Sequence, residues 1–180
     1  MTPGLTALGD LGRARELLLE DALRALPLLE RYDGSVVDIG SGGGTPGIPL
    51  AVALPERDVT LLDAERRKCD FMRHWAPPNA EVVWGRAEEQ PPERWGVAVA
   101  KALARPPVAA ELCLPLVRTG GVAILWLGER ADLEQLRAAS EQLGGGTPEV
   151  HDGLAVLPKV EPTPSGFPRR VGVAKKRPLA

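Results

Sequence analysis

The stretch Val36-Val37-Asp38-Ile39-Gly40-Ser41-Gly42-Gly43-Gly44-Thr45-Pro46-Gly47 constrains this chain more than any other: an apolar strand, an acid, then a turn made largely of glycine. Glycine reaches positive φ without steric cost and has no Cβ, so a ligand can approach the bare amides of such a turn. The pattern predicts a strand-turn-helix unit that cradles a nucleotide-like cofactor. A tight turn with an ordinary helix-capping aspartate is the plainer alternative.

Two frames fit the glycines. Gly42, Gly44 and Gly47 satisfy GxGxxG, the dinucleotide fingerprint, with Asp63 at about the ~20-residue spacing expected of its acid. Counted from the strand end, the frame is Asp38, Gly40, Gly42, Gly44, with Pro46 placed in the first turn of the next helix. This second frame resembles the turn of Rossmann-like S-adenosylmethionine enzymes, where the glycines pass under the methionine and ribose portions of the cofactor. In that class the acid ending the second strand accepts hydrogen bonds from the ribose hydroxyls, and Asp63, after Val59-Thr60-Leu61-Leu62, has that place. A nicotinamide oxidoreductase is the competing class.

Strand-like and helix-like patterns alternate along the chain. Apolar residues at helical spacing (Leu11, Ala14, Leu18, Ala22, Leu26) predict a helix from Leu11 to Leu29, capped by Asp10 and bent or ended by Pro27. Strands are expected at Ser35 to Ile39, Val59 to Leu62, Glu81 to Trp84, Val97 to Ala100 and Val122 to Leu127. Helices are expected from Pro46 to about Leu54, about Glu65 to Trp75, about Pro106 to Val117, and Ala131 to Leu143, with Gly120-Gly121 turning the chain into the fifth strand. Glu149 to Asp152 and Leu154 to Val160 predict a closing hairpin. Short apolar strands separated by helices make an α/β fold: a mostly parallel, twisted sheet with helices on both faces and an antiparallel closing hairpin. With 180 residues and 44% apolar content, a single domain is expected: an N-terminal helical segment (1–33), an α/β core (34–160) and a basic tail (161–180).

Charge is unevenly spread. Lys159, Arg169, Arg170, Lys175, Lys176 and Arg177 face Glu161 alone, a local charge of +5 that leaves −7 for the rest of a chain totalling −2. An acidic body with a basic end suggests a polyanionic partner met at that end, or simply a solvated terminus. Cys69 and Cys113 form no CxxC pair, and His74 and His151 are isolated, so no metal site is expected. No leader pattern and no apolar run near the ~18 residues of a membrane span is visible, which predicts a cytoplasmic protein. Of the four tryptophans, Trp75, Trp84, Trp95 and Trp126, three fall at the ends of or inside predicted strands and helices, so core packing is expected in preference to a base-stacking role.

The run Val36 to Leu50, VVDIGSGGGTPGIPL, resembles the glycine loop of the bacterial 16S ribosomal RNA guanine-N7 methyltransferase family called RsmG or GidB. Further similarities follow in order: Asp63 with Arg66-Arg67-Lys68 behind it, Gly85 to Glu89, Ala100 to Ala104, Leu114 to Gly121, and Phe167 to Leu179. The resemblance implies a class I S-adenosylmethionine-dependent methyltransferase acting on small-subunit ribosomal RNA, most simply as a monomer. It places Asp38, Gly40, Ser41, Gly42, Gly44 and Thr45 in or under the cofactor turn, Asp63 at the ribose, Ala87 and Glu88 at the adenine, and Lys101 beside cofactor and substrate. Lys101, Arg169 and Arg170 are the candidates for holding RNA, each able instead merely to solvate a loop.

Guanine N7 has a free lone pair and no proton to lose at neutral pH. Methyl transfer to it can therefore run on alignment and exclusion of water, and no catalytic acid or base is expected. The chain departs from the family pattern where Leu18 replaces a histidine, Lys101 an arginine and Leu127 a lysine, and it carries little of the usual N-terminal extension. Those losses leave two alternatives: a methyltransferase of the same ancestry acting on another RNA or a small molecule, or an inactive RNA-binding module retaining the fold.

Overall fold

The computed structural model describes residues 10–180; of the N-terminal segment expected over 1–33, residues 1–9 lie outside the described residues. Strands β1 (Val36–Ile39), β2 (Val59–Asp63) and β4 (Trp95–Ala100) are buried at every position, the state that unbroken apolar runs seek between two helical layers. With β3 (Ala80–Trp84), β5 (Val117–Trp126), β6 (Glu149–His151) and β7 (Leu154–Pro158) they form one seven-stranded sheet in the order β3-β2-β1-β4-β5-β7-β6. Pairing is parallel from β3 through β5 and antiparallel from β5 through β7 to β6, so the closing hairpin extends the sheet.

Strand order reverses between β1 and β4. Chain connections leave these neighbours in opposite directions, opening a crevice at their carboxyl ends. The residues that follow them are the glycine turn and Lys101.

Side-chain alternation sends two apolar sets to opposite faces. Val36, Leu61, Val99 and Ile124 pack with α3 (Leu26–Leu29), α4 (Gly47–Ala53) and α5 (Arg66–Trp75), whose Leu29, Leu50 and Met72 are fully buried. On the other face Val37, Ala98, Ala123 and Leu157 pack with α6 (Pro106–Cys113) and α7 (Leu133–Gln142) through Ala110, Cys113 and Leu136. Among the described residues, no helix is long and apolar enough to cross a membrane.

Several expectations change. The N-terminal helix is not continuous: α1 (Leu11–Ala14) widens into a π-helical stretch over Arg15–Glu20, tightens into α2 (Asp21–Leu23) and restarts as α3. Pro27 opens α3 in its first turn, where the missing N–H has no partner to lose. Leu11 is left 86% exposed because the inward face is Ala22, Ala25, Leu28 and Leu29. Asp10 caps α1 as expected, its carboxylate accepting the Arg13 N–H at 2.7 Å.

Helix α6 stops at Cys113, and Leu114–Leu116 form a 3-10 turn with Pro115 near its start. Gly120 and Gly121 lie inside β5 and do not begin it: the register against β4 slips between the pairs Trp95–Val117 and Val97–Val122, which makes them a bulge.

The tail is docked. Lys159 is 1% exposed and its Nζ donates to Leu143 O at 2.6 Å and Thr163 Oγ1 at 2.9 Å, while α8 (Val173–Lys176) buries Ala174. Of the tail's five cations, Arg170, Lys175, Lys176 and Arg177 face outward.

Only Trp95 is fully buried, its indole N–H donating to Thr60 Oγ1 at 3.1 Å. Trp84, on edge strand β3, is 56% exposed and Trp75, at the end of α5, 60%. Edge strands and helix ends lack a second layer to cover a large ring.

Candidate functional site

Asp38 lies buried near the end of β1, under the first turn of α4, where its Oδ2 accepts the Gly47 N–H at 2.9 Å. A Cβ at Gly47 would stand 2.7 Å from that oxygen, so only glycine lets the helix start this close to the strand. Asp38 Oδ1 is buried without a hydrogen-bond partner. Burial pushes the Asp38 carboxyl up from 3.8 to about 7, against the Gly47 hydrogen bond, which pulls the other way.

Above Asp38 the chain makes its turn with positive φ at Gly40, Gly42 and Gly44 (72°, 58° and 91°). Backbone bonds hold the shape: Gly40 N–H donates to Leu62 O at 2.8 Å and Gly44 N–H to Ser41 O at 2.7 Å. The side chain of Asp63, at the end of β2, completes it. Its Oδ2 accepts the Gly42 N–H and its Oδ1 the Glu65 N–H, both at 2.8 Å. Asp63 thus joins the turn to the entry of α5, and its carboxylate lines a cavity.

Three clefts meet along this edge. A cavity of about 110 Å³ lies on the Asp63 side, walled by Leu62, Ala87, Glu88, Leu103 and Leu112 and closed by Gly172 and Lys175 from the tail. A second cleft, about 390 Å³, shares Gly40 and continues over Ser41, Gly42, Thr45, Phe71, Leu18 and Lys101. The third, about 410 Å³, shares Lys101 and runs past Asp21, Arg24, Trp126 and Leu127.

Lys101 sits between the second and third clefts with its charge held in place. Its Nζ pairs with Asp21 at 2.5 Å and donates to Leu17 O at 2.5 Å, and the two side chains are about one-fifth exposed (19% and 21%). Leu18 lines the second cleft and Leu127 the third.

The structure therefore brings together Asp38, Gly40, Ser41, Gly42, Thr45, Asp63, Ala87, Glu88 and Lys101, with Gly44 turning the chain into α4. Arg169 and Arg170 are not among the residues lining these clefts. Arg170 is exposed, while the Arg169 guanidinium is taken by the buried Glu111 carboxylate in two hydrogen bonds and so is not open to RNA as expected. Sequence reasoning missed Asp21, Glu111 and the tail residues Gly172 and Lys175. Their signal exists only across the fold, since each partner lies more than 50 residues away: Asp21 80 from Lys101, Glu111 58 from Arg169.

The residues fit S-adenosylmethionine. An orphaned buried oxygen at Asp38 and a turn without side chains lie at the base, an apolar slot between Leu62, Ala87 and Leu103 suits a flat base, and Asp63 offers a carboxylate beside it.

Strand order, switch-point turn and terminal acid on β2 define a class I S-adenosylmethionine-dependent methyltransferase. Solved structures share the fold: a TehB-like SAM-dependent methyltransferase from Corynebacterium glutamicum (TM-score 0.60, 18% identity, 82% of this chain and 95% of that one) and a T. thermophilus 16S rRNA methyltransferase in complex with AdoMet and guanosine (TM-score 0.57, 17% identity, 74% and 37%). A model of the GidB family, rRNA small subunit methyltransferase G, matches residues 2–147. Ribosomal RNA small subunit methyltransferase G of Synechococcus sp. (strain JA-3-3Ab) is 38% identical over 99% of this chain and 79% of its own length; that of Thermotoga neapolitana is 37% identical over 97% and 84%. The chain belongs to the rRNA small subunit methyltransferase G family.

Proposed function

We propose that this enzyme transfers the methyl group of S-adenosylmethionine to N7 of a guanine in 16S ribosomal RNA, acting in the cytoplasm as a monomer on the RNA or the small ribosomal subunit. The family match over residues 2–147 carries this reading, and the glycine turn tied to Asp63 supports it. Bound in the cleft, S-adenosylmethionine supplies a methyl group on a positively charged sulfur.

Asp63 would hold the ribose while keeping its bond to Gly42, so that one side chain would set both cofactor position and turn geometry. Ala87 and Glu88 would border the adenine, with Leu62 and Leu103 as its apolar neighbours. Gly40, the residue common to both clefts, would leave the cofactor room between the first and the second. There Phe71 and Leu18 exclude water and Lys101 holds its charge at the mouth of the third cleft.

Guanine O6, the acceptor beside N7, is the atom an ammonium such as Lys101 can approach without giving up its pairing to Asp21, which leaves the N7 lone pair free. No side chain has to remove a proton, because N7 attacks through a free lone pair. The work of the chain is alignment and dehydration, the terms by which in-line displacement gains most. Outward-facing Arg170, Lys175, Lys176 and Arg177 supply phosphate contacts beside the cofactor entrance.

Expression in a bacterial strain lacking its own enzyme tests this directly. Restored N7 methylation of the ribosomal guanine, dependent on Asp63, is the expected result. A well-expressed chain that leaves the guanine unmethylated overturns the substrate assignment.

A further inference from the structure

Resting on the S-adenosylmethionine reading above, we propose that the C-terminal segment from Arg169 to Lys175 is the outer wall of the cofactor site, and that Glu111 is the positioning residue that holds it through Arg169.

Glu111 lies on α6 with its side chain 2% exposed. A carboxylate so deeply buried is costly unless paired and hydrogen-bonded, and the Arg169 guanidinium meets it with two parallel N–H donors. The same guanidinium donates to Arg177 O at 2.8 Å, drawing residues 169–177 into a closed loop. Phe167 and Leu179, on either side of that loop, pack against the core. The loop is thus fastened at its base by one ion pair made across 58 residues of sequence.

The fastened loop reaches the cofactor cavity. Gly172 donates its N–H to Glu88 Oε1 at 3.0 Å, and Gly172, Ala174 and Lys175 line the cavity with Asp63 and Ala87. Leu112, the residue after Glu111, lines it too. Wall and anchor therefore rest on the same turn of α6. If the loop left, Glu111 would be buried without a cation, Glu88 would lose its backbone donor, and the cavity would open on one side. Because the docked loop supplies one wall of the cavity, its docking adds contacts for the cofactor, and by reciprocity the cofactor favours the docked loop to the same extent. Arg169 on this view serves cofactor binding through position and does not touch RNA.

Isothermal titration with S-adenosylhomocysteine on the full chain, comparing wild type, Glu111→Gln and Arg169→Lys, tests the assignment alongside hydrogen–deuterium exchange of residues 167–177. Glu111→Gln is expected to weaken binding about tenfold, with Arg169→Lys intermediate because it keeps the charge but loses the two-pronged geometry. In turnover assays the loss should fall on KM for S-adenosylmethionine and not on kcat. Cofactor should slow exchange in residues 170–177 of the wild type. A folded Glu111→Gln chain that binds as tightly as wild type overturns the proposal. Should that variant fail to fold, the wild-type exchange experiment decides alone, and a segment whose exchange ignores the cofactor overturns it equally. Wild-type protein that binds neither S-adenosylhomocysteine nor S-adenosylmethionine would bring down the cofactor reading as well, whereas binding with a silent segment brings down only this one.

Discussion

Asp63 clasps the glycine turn from the neighbouring strand, its Oδ2 accepting the Gly42 N–H at 2.8 Å across 21 residues of sequence. The bond makes the acid a structural part of the turn as well as a group facing the cavity. Asp63→Ala should weaken S-adenosylmethionine binding by about 1–3 kcal/mol, the range for losing a charge-assisted hydrogen bond. Titration calorimetry measures it, and an unchanged dissociation constant would reduce Asp63 to a cap for the start of α5.

Asp38 makes stability depend on pH. With its carboxyl raised by burial from 3.8 to about 7, the folded chain keeps a proton that the unfolded chain has already released between those values. Its stabilising contribution is complete below about pH 3.8 and is lost as pH rises through about 7. Asp38→Asn should flatten that part of the slope in urea unfolding followed from acidic to neutral pH. A slope identical to wild type would mean the carboxyl does not carry it.

Gly47→Ala should destabilise the chain by about 1–3 kcal/mol, the cost of forcing a methyl into a packed site. The added Cβ would stand 2.2 Å from Leu61 Cδ2, 2.7 Å from Asp38 Oδ2 and 2.9 Å from Asp38 Cβ; the Leu61 methyl can turn aside, but Asp38 Cβ is fixed to the backbone of β1. Thermal or denaturant unfolding of the variant checks this.

Lys101 and Asp21 should prove coupled. Their pair is mostly shielded from solvent, so Lys101→Met and Asp21→Asn should fall short of additivity by about 0.5–3 kcal/mol in a double-mutant cycle on stability. Only Lys101→Met should also lower RNA methylation beyond what the stability change explains. Additive energies would show that the pair adds nothing to the docking of α2.

Tryptophan position should separate cleanly in stability. Trp95→Ala should cost about 3–5 kcal/mol, while Trp84→Ala should change stability by no more than about 1 kcal/mol. Trp84 is largely exposed, with the Arg66 guanidinium 5.5 Å from its ring centre and its N–H on Ala64 O at 3.0 Å. Chemical denaturation of both variants distinguishes the two environments.

Those tryptophans also show where one-dimensional reading stops. All four lie in or beside regular elements, yet burial depends on whether a second layer covers the element, which local pattern does not encode. The same holds for the N-terminal helix: its apolar spacing is real, but the face that packs is Ala22, Ala25, Leu28 and Leu29, chosen by the sheet beneath. Gly120-Gly121 read as a turn because glycine pairs break strands, whereas pairing to β4 carries the strand through them as a bulge.

What could be read along the chain was everything governed by neighbours in sequence: the apolar runs that must be buried strands, the glycine turn after Asp38, the acid at Asp63 and the alternation that makes a parallel sheet. Each depends on steric freedom or periodicity within a few residues. Folding alone decided which distant charges meet. Lys101 with Asp21, Arg169 with Glu111 and Gly172 with Glu88 are joined by the order of strands and the path of the tail, and only burial, a property of the whole packed chain, makes such meetings necessary.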